Sequence, residues 1–580
     1  MDTTNQPFSP LQRFFRLIKV EKQEILIIYL YAVFYGLVNL SLPLGIQAII
    51  NLINGGMVST SWIVLVAIVI LGIALSGWLQ VMQLSVSEKI QQKIFTRSAF
   101  EFAYRIPRLN LASVDRKYVP ELVNRFFDTL SVQKGLSKIL IDFSSAALQV
   151  IFGLILLSLY HSFFIFFGIL LLFIVFLIFR FTGPEGLKTS LYESKYKYEV
   201  AHWLEELARA MQTFKLAGKT DLPMERTDEL VGGYLKSRKA HFRVLILQYI
   251  NMVGFKVIVA AGLLILGGLL VIRQQMNVGQ FVAAEIIIIM VVASVEKLIL
   301  SMETIYDVLT ALEKLGGVTD IPLESDRGFT VTQNTSLRGL KVSIDHLSYR
   351  FPEAQEDILK DITLEINPGE RVVITGFSGS GKSLLLNMIA GLYEDFRGAI
   401  SYNDIPLGSL DIGNLRACMG DSLDKQIIFK GSILENITVG RPGLGFEEAR
   451  QICQVIGLTD YLKTLPDGLY TQLLPEGRQI PRSTVEKIIL ARIFVGNPRL
   501  ILLEEMPVHL ETQDQERFMK YLLDPTHSWT VIAATHDIGV ARKFDRIIGF
   551  EDGRVIDEGT FEQISERPWF KKISGGKLSQ

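Results

Sequence analysis

The stretch FFIFFGILLLFIVFLIF, residues 163–179, restricts the fold of this chain more than any other feature. A helix of a water-soluble domain is apolar on one face, whereas this stretch is apolar on every face. A helix that crosses a bilayer needs about 20 mostly apolar residues. Residues 163–181 therefore predict a transmembrane helix.

Five further stretches have a similar length and composition, which gives six predicted spans: about 24–52, 62–84, 139–160, 163–181, 250–272 and 280–302. The fifth span carries Lys256, and the sixth carries Glu285 close to its start. An ionised carboxylate that faces lipid is costly, so we predict that Glu285 faces a central cavity. The alternative is that its side chain reaches the outer interface.

The loop charges predict the orientation of the spans. Connections 85–138 and 183–245 carry ten and eleven Lys or Arg residues, whereas 54–61 and 161–162 carry none. Positively charged loops remain in the cytoplasm, so both termini are predicted to be cytoplasmic, with the chain in the inner membrane. The two long connections read as helical hairpins whose tips, near 115–121 and 214–219, contact a cytosolic domain; the alternative is a solvated loop.

The second half of the chain has the composition of a soluble α/β domain. We predict a membrane domain over 1–315, a linker over 316–338 and a nucleotide-binding domain over 339–580. The net charge of −1 gives no electrostatic argument for a nucleic-acid partner.

A phosphate-binding loop is predicted where strand-like ERVVITGF (370–377) meets helix-like LLLNMIAGL. The segment between them, GFSGSGKS, fits the G-x-x-x-x-G-K-S pattern in the strand–loop–helix context that it requires. The backbone N–H groups would cradle the phosphates of ATP, the lysine would reach the β and γ phosphates, and the last serine would bind Mg²⁺. The predicted ATP-binding residues are Gly376, Phe377, Ser378, Gly379, Ser380, Gly381, Lys382 and Ser383.

Two more apolar strands end in residues suited to phosphate chemistry. RLILLEE (499–505) ends in Glu504 and Glu505, and TVIAATH (530–536) ends in His536. Ligands of open α/β sheets bind at the carboxyl ends of the strands. We predict Glu504 in the Mg²⁺ shell and Glu505 as the residue that polarises water; the alternatives are a solvated loop and, for His536, an ordinary core histidine.

Six spans, long connections and these three strand ends together resemble the ATP-binding-cassette exporters of the half-transporter type. LSYRFPEAQEDIL is similar to the segment in which that family places an aromatic that stacks on adenine, which implies this role for Tyr349. Residues 428–437 look like the segment after the family's glutamine loop, and 535–564 resemble its switch-histidine region. The resemblance implies catalytic roles for Glu505 and His536.

The chain departs from the family pattern at several positions. The Leu-Ser-Gly-Gly-Gln signature, which caps the γ-phosphate held by the opposite subunit, corresponds here to Ile480, Pro481, Arg482, Ser483 and Thr484. Pro481 has no N–H to give, and the side chains of Arg482 and Ser483 stand where the backbone must approach phosphate. The metal-shell aspartate is Glu504, and the glutamine-loop position aligns with Asp424, a further predicted Mg²⁺ ligand, with Gln426 close by.

This pattern implies a dimer, either a heterodimer in which a partner supplies an intact signature or a homodimer with two weakened sites. The resemblance implies an ATP-driven exporter with ATP and Mg²⁺ as cofactors and with hydrolysis weakened or partner-dependent. Residues 42–56 are similar to the first span of peptide- and protein-secreting members, here without a preceding peptidase domain. That reading implies a periplasmic adaptor and an outer-membrane channel. The alternatives are a lipid or drug exporter, or an ATP-binding regulatory or sensor subunit.

Overall fold

The computed structural model describes residues 8–54, 60–115, 117–325, 328–330, 339–352, 354–423, 427–507 and 509–573. They form two compact units. The first contains residues up to 107 together with 117–321, and the second contains 108–116 together with the chain from 322 onward. The second unit thus includes a short segment that precedes it in the chain by about two hundred residues.

Helices build the described part of the first unit. They are α1 (Pro10–Val20), α2 (Lys22–Asn39), α3 (Ser41–Asn54), α4 (Thr60–Arg105), α5 (Val119–Asn124), α6 (Asp128–Lys138), α7 (Ser144–Ser158), α8 (Phe163–Arg209), α9 (Met211–Leu216), α10 (Leu222–Gly262), α11 (Gly268–Ile272) and α12 (Val278–Thr319). Two π-helical segments, Ile139–Phe143 and Leu263–Gly267, join α6 to α7 and α10 to α11.

Six helical stretches are long and apolar enough to cross a membrane: Lys22–Ile53, Thr60–Arg108, Val119–Ser158, Phe163–Arg209, Leu222–Ile272 and Val278–Thr319. Each overlaps one predicted span, so the prediction of six apolar helices is confirmed. α8 alone has 47 residues. At 1.5 Å per residue it is about 70 Å long, more than twice the hydrocarbon core of a bilayer.

α12 is longer than the sequence suggested. It continues to Thr319, into the segment predicted as a linker. Pro322 follows shortly afterwards, and the residue before a proline is disfavoured in helical conformation. The proline therefore explains the end of the helix better than the two glycines at 316 and 317, which remain helical.

Glycines allow α12 to approach the third span closely. A Cβ atom added to Gly135 would lie 2.3 Å from the Val308 side chain, and one added to Gly153 would lie 2.7 Å from Val291. Small residues let helix backbones come together in a membrane, where van der Waals packing replaces the hydrophobic effect as the main attraction. A larger residue at either position would push the two helices apart.

The second unit is an α/β domain with two main sheets. Its strands are β1 (Val342–Tyr349), β2 (Leu359–Ile366), β3 (Arg371–Thr375), β4 (Arg397–Tyr402), β5 (Ile405–Pro406), β6 (Met419–Ser422), β7 (Gly431–Ser432), β8 (Gln472–Leu473), β9 (Leu500–Leu503), β10 (Thr530–Ala534), β11 (Arg546–Glu551) and β12 (Arg554–Gly559). Its helices are α13 (Lys382–Ile389), α14 (Ile412–Ala417), α15 (Ile433–Thr438), α16 (Phe446–Ile456), α17 (Thr459–Lys463), α18 (Arg482–Phe494), α19 (Thr512–Leu522), α20 (Ile538–Ala541), α21 (Phe561–Ile564) and α22 (Pro568–Ile573).

The larger sheet has the order β12-β11-β3-β10-β9-β6, and all its neighbours are parallel except β11 and β12. The smaller sheet has the order β2-β1-β4-β5 and is antiparallel. In β3, Val372 and Ile374 enter one hydrophobic core while Val373 enters the other, so both faces of the parallel sheet are covered. This explains why its strands read as continuous apolar runs.

The early segment of the second unit packs against the smaller sheet's core. Leu109 forms a bridge with Leu323, and Leu111 and Ala112 contact the core cluster. The Tyr393 hydroxyl donates a hydrogen bond of 3.4 Å to Asp115, a residue at the predicted tip of the first hairpin. The second predicted tip, 214–219, belongs to the first unit, where Leu216 is 88% exposed, and its contact with the nucleotide domain stays a prediction.

Candidate functional site

The loop after β3 has the backbone geometry of an anion cradle. Gly379 and Gly381 have φ angles of +79° and +103°, a left-handed conformation that costs glycine little. A Cβ on Gly376 would lie 1.9 Å from the Phe550 carbonyl oxygen, so a side chain does not fit there. α13 begins at Lys382, directly after the loop, and its N-terminus points unpaired N–H groups toward this site.

Lys382 lies inside this loop. Its Nζ donates to the carbonyls of Gly376 at 2.9 Å and Phe377 at 2.8 Å, and to Ser380 Oγ at 3.3 Å. The side chain is buried, which lowers the pKa of its ammonium group. A charge held there by backbone oxygens is available to an anion that enters the cradle.

The structure brings eight of the predicted site residues to one cavity of about 310 Å³. Its lining includes Ser378, Gly379, Gly381, Lys382, Ser383, Glu504, Glu505, His536, Phe351 and Ile358. Apart from Phe351 and Ile358, which lie between β1 and β2, these residues follow the carboxyl ends of β3, β9 and β10, which are neighbours in the larger sheet. The three strand ends thus meet as the topology of a parallel sheet requires.

His536 is electrostatically connected to the other residues of the cavity. Burial lowers the pKa of its imidazole, and the Lys382 ammonium lowers it further, while Glu505 and a hydrogen bond to the Gly376 backbone act in the opposite direction. The net shift is downward, so the ring is neutral at pH 7. A neutral imidazole has a single N–H, so His536 can donate to an anion without adding charge to the cavity once that N–H leaves the Gly376 carbonyl.

The prediction that Tyr349 stacks on adenine is wrong. Tyr349 is 2% exposed and belongs to the core, where its ring packs edge-on against Phe351 at 5.2 Å and tilted against Tyr393 at 5.4 Å. Burial raises the pKa of its hydroxyl to about 12. Phe351 lines the cavity instead.

Tyr349 is buried and Phe351 is not because of the position at which β1 ends. The strand stops at Tyr349, whose side chain still follows the inward pattern of the sheet, and a turn then starts at Phe351, whose carbonyl accepts from the Ala354 N–H at 2.9 Å. Phe351 lies beyond the strand and is free of that alternation. An aromatic directly before a proline, past the last strand residue, is the sequence signal that could have identified it.

Glu504 and Glu505 follow the last residue of β9. The Glu504 N–H donates to the Ser422 carbonyl at 3.1 Å, which fixes the start of the turn. Glu505 lines the 310 Å³ cavity and also a smaller one of about 180 Å³ that it shares with Glu486. Asp424 and Gln426 lie outside the described residues, so the prediction of a metal ligand at Asp424 stays a prediction.

The altered signature forms the start of α18. Pro481 is the N-cap residue, and its side chain gives no capping hydrogen bond. The Pro481 carbonyl accepts from the N–H groups of Thr484 at 2.9 Å and Val485 at 3.1 Å. Arg482 is exposed, whereas Thr484 is buried. The lining of the 310 Å³ cavity, as far as the chain is described, includes none of the residues 480–484.

One turn beyond the altered signature, α18 contacts the segment that follows Glu505. The carboxylate oxygens of Glu486 accept from the His509 N–H at 3.2 and 3.0 Å, and Lys487 pairs with Asp514 at 2.6 Å. Burial raises the pKa of the Glu486 carboxyl. Sequence reasoning did not find these contacts, because a charged pair on a helix reads as a solvated face.

The site residues and the helices together match two family models. Residues 25–295 match the ABC transporter transmembrane region, and residues 359–507 match the ABC transporter model. Both models describe parts of an ABC transporter, and the two matched ranges together cover well over half of the chain. This chain belongs to the ABC transporter family. The six apolar helices followed by the α/β unit are the fold of an ABC exporter half-transporter.

Solved and curated relatives extend the likeness. A bacterial Atm1-family ABC exporter with ATP bound superposes with a TM-score of 0.83 over 97% of this chain and 99% of that one, at 17% identity, which supports the fold alone. The exotoxin translocation ATP-binding protein PaxB of Pasteurella aerogenes and the alpha-hemolysin translocation ATP-binding protein HlyB of Proteus vulgaris are each 27% identical over 369 residues, 63% of this chain and 51% of theirs. The cyclolysin secretion/processing ATP-binding protein CyaB of Bordetella pertussis is 27% identical over 364 residues, 62% of this chain and 50% of its own length. The chain thus spans about half the length of these curated relatives.

Proposed function

We propose that this ABC transporter chain hydrolyses ATP to move a substrate out of the cytoplasm by alternating access. The observation that carries the proposal is the 310 Å³ cavity, where Lys382, Glu505 and His536 meet beside the glycine loop. Each residue type has a distinct task in phosphoryl transfer, and the parallel sheet delivers all of them to one place.

The loop N–H groups and the Lys382 ammonium would bind the phosphates of ATP, and Phe351 would stack on its adenine. Ser383 and Glu504, with Asp424 as the third predicted ligand, would hold Mg²⁺, which prefers hydroxyl and carboxylate oxygens. Glu504 is one methylene longer than the family's aspartate, which suits contact through a water molecule. A bound Mg²⁺ would neutralise charge on the β and γ phosphates.

Glu505 would orient a water molecule for attack on the γ-phosphorus. The new P–O bond forms as the bond to the β-phosphate oxygen breaks, so ADP and inorganic phosphate are the products, and the water proton passes to Glu505. The neutral His536 would donate its ring N–H to the γ-phosphate. Pre-aligned donors of this kind act where charge develops in the transition state.

The altered signature bears on the assembly. In the family, each ATP lies between one subunit's loop and the other subunit's signature, so we propose a dimer of half-transporters. A heterodimer would combine this chain's Lys382, Glu505 and His536 with an intact signature from the partner. A homodimer would have two weakened sites, and Arg482 could then contribute a cation to the γ-phosphate in place of backbone N–H groups.

The substrate proposed here is a peptide or protein, as in type I secretion. The support is that the curated relatives are described as translocation and secretion proteins. This function would place the chain in the inner membrane with its nucleotide domain in the cytoplasm, beside a periplasmic adaptor and an outer-membrane channel. Lipid or drug export is the competing substrate class.

A second function, an ATP-binding regulatory or sensor subunit, is favoured by Pro481 and Arg482 alone. Such a subunit would bind ATP yet show no turnover that responds to a transported substrate. ATP hydrolysis measured with and without candidate substrate, in membranes containing this chain and any neighbouring half-transporter, separates the two functions.

Lys382→Ala tests the proposed function directly. The variant should insert into membranes normally but lose ATP-dependent transport and ATP turnover, because the ammonium contacts phosphate. Lys463→Ala is a matched control, since that lysine pairs with Asp460 on an exposed helix. Wild-type turnover in Lys382→Ala would refute the assignment of the site.

A further inference from the structure

Two neighbouring residues of α12 carry opposite charges inside the sixth span. Glu296 pairs with Lys256 of α10 at 2.6 Å, and Lys297 pairs with Asp142 of the third span at 2.8 Å. We call Asp142, Lys256, Glu296 and Lys297 the charged cluster. The two pairs connect α12 to two different helices at one level of the membrane domain.

The spans predicted from hydropathy put the cluster within the hydrocarbon depth. Asp142 and Lys256 are three and six residues from the first residues of predicted spans 139–160 and 250–272, and Glu296 is six residues from the last residue of predicted span 280–302. If those spans match the hydrocarbon core, the charges lie about 5–9 Å inside the membrane at 1.5 Å per residue. An ionised side chain that faces lipid is unfavourable, and such residues instead face other protein groups or a water-filled cavity.

The side chains are not enclosed by the helices that they join. Lys297 is 52% exposed and Lys256 36%, while Glu296 and Asp142 are 32% and 28% exposed. A lysine can extend its long side chain toward the interface, but the short side chain of Asp142 cannot. Paired and still exposed, the four charges fit a surface that fronts water inside the membrane.

The backbone of the third span adds an independent observation. Asp142 lies in the π-helical segment Ile139–Phe143, where one extra residue per turn changes the direction of the side chains. Such single-turn insertions occur frequently at functional sites. Glu285 lies eleven residues before Glu296, three turns of α12, and so on nearly the same helix face.

We propose that the charged cluster lines the substrate path and binds the charged groups of a polypeptide that carries both signs of charge. Carboxylates of Asp142 and Glu296 would take up Lys and Arg side chains of the substrate, and the ammonium groups of Lys256 and Lys297 would take up Asp and Glu side chains. A neutral lipid or drug has no group to replace a broken ion pair. The inference rests on the proposed export function and selects the polypeptide among its substrate classes.

Water access is tested first, by cysteine labelling of the full-length protein in nanodiscs. Lys256→Cys and Glu296→Cys should react with a charged, membrane-impermeant thiol reagent at least tenfold faster than Val257→Cys. Val257 is a matched control, because it is 63% exposed on the adjacent face of the same helix. Equal rates at all three positions would refute a water-filled path at the cluster.

The native thiols give a low background in this assay. Burial raises the pKa of both Cys418 and Cys453, that of Cys453 to about 12, so at pH 7 both remain protonated and slow to react. A variant with alanine at both positions serves as the reference for labelling.

Substrate recognition is tested by neutralising one pair as a unit, Lys256→Met with Glu296→Gln, which leaves no lone charge in the membrane. The probes are a denatured polypeptide with equal numbers of Lys and Glu, an uncharged polypeptide of the same length, and a neutral amphiphile. The wild type should respond to the mixed-charge polypeptide by increased ATP turnover. The double variant should need at least tenfold more polypeptide for half-maximal stimulation, measured relative to its own turnover without polypeptide.

The outcomes of these assays distinguish failure of the charged cluster from failure of the proposed function. Unchanged stimulation in the double variant, or stimulation of the wild type by the neutral amphiphile alone, would overturn the charged cluster as a substrate site. Absence of basal ATP turnover in the wild type would instead contradict the proposed function, so the two failures are distinguishable.

Discussion

Replacement of Phe351 by alanine tests the proposal that its ring, and not the ring of Tyr349, stacks on the adenine of ATP. Phe351 lines the cavity, whereas Tyr349 is buried behind it. Stacking of a nucleobase on an aromatic side chain contributes about 1–3 kcal/mol. Since about 1.4 kcal/mol is a tenfold change, Phe351→Ala should raise the Kd for ATP by about 5-fold to 150-fold.

The alanine variant also loses packing. The Phe351 ring contacts Tyr349 and Tyr393 edge-on, with centroids 5.2 and 6.0 Å apart, and each aromatic pair contributes about 0.5–1.5 kcal/mol. Phe351→Trp is therefore the second variant, because it keeps a stacking surface and should bind ATP within a few-fold of wild type. The unfolding temperature of each variant, measured without nucleotide, separates a folding defect from a binding defect.

The assay is equilibrium titration of ATP into nanodisc-embedded protein without Mg²⁺, so that no turnover occurs. Tyr349→Phe is the control: it keeps the core ring and removes a hydroxyl that has no hydrogen-bond partner among the described residues. Its Kd should stay within about twofold of wild type, because the lost group touches no nucleotide and its removal leaves no buried partner unpaired. An unchanged Kd in Phe351→Ala, or an equal loss in Tyr349→Phe, would refute the reasoning.

Three further predictions concern the hydrolytic cycle. Glu505→Gln should bind ATP yet hold a closed nucleotide-bound dimer in crosslinking assays, and wild-type hydrolysis would exclude Glu505 as the catalytic base. Glu486→Ala should lower kcat with little change in KM, because the His509 N–H loses its acceptor. Glu486→Gln keeps an oxygen acceptor and should restore kcat. If Glu486→Gln does not restore kcat, Glu486 is a purely structural residue. Replacement of 480–484 by Leu-Ser-Gly-Gly-Gln should raise ATPase activity about tenfold for each ~1.4 kcal/mol of recovered transition-state stabilisation if the protein is a homodimer, and only slightly if a partner already supplies an intact signature. A large increase of ATPase activity in a co-purified heteromeric complex would contradict the heterodimer. No change, either in that complex or in the chain purified alone, would show that Pro481 and Arg482 do not limit hydrolysis.

The parts of the fold that could be predicted depend on local sequence. Hydropathy over about 20 residues is enough to find a span, because the bilayer requires every backbone group to be satisfied within one helix. The glycine loop was equally readable, since Gly379 and Gly381 have the positive φ angles that glycine adopts at little cost, which is a local backbone requirement. Hydropathy does not locate the end of α12, because the helix continues past the apolar span to Thr319.

The parts that could not be predicted depend on contacts distant in sequence. Tyr349 and Phe351 differ by two residues, and only the position of the strand end decides which ring enters the core. The pairing of Lys297 with Asp142 depends on a π-helical segment that no composition signal marks. The packing of Leu111 and Ala112 with a core more than two hundred residues later in the chain is of the same kind.

α18 connects the altered signature to the segment that follows Glu505 in the same chain. Its first residues, Arg482 to Thr484, occupy the position at which the family reads a partner's nucleotide, and the next turn binds His509 and Asp514 through Glu486 and Lys487. The substitutions fall on the turn proposed to contact phosphate, whereas the turn that holds the segment after Glu505 keeps two charged contacts. A chain can therefore lose backbone donors to its partner's ATP and still position Glu505 for its own, which is the combination that the heterodimer requires and the signature replacement tests.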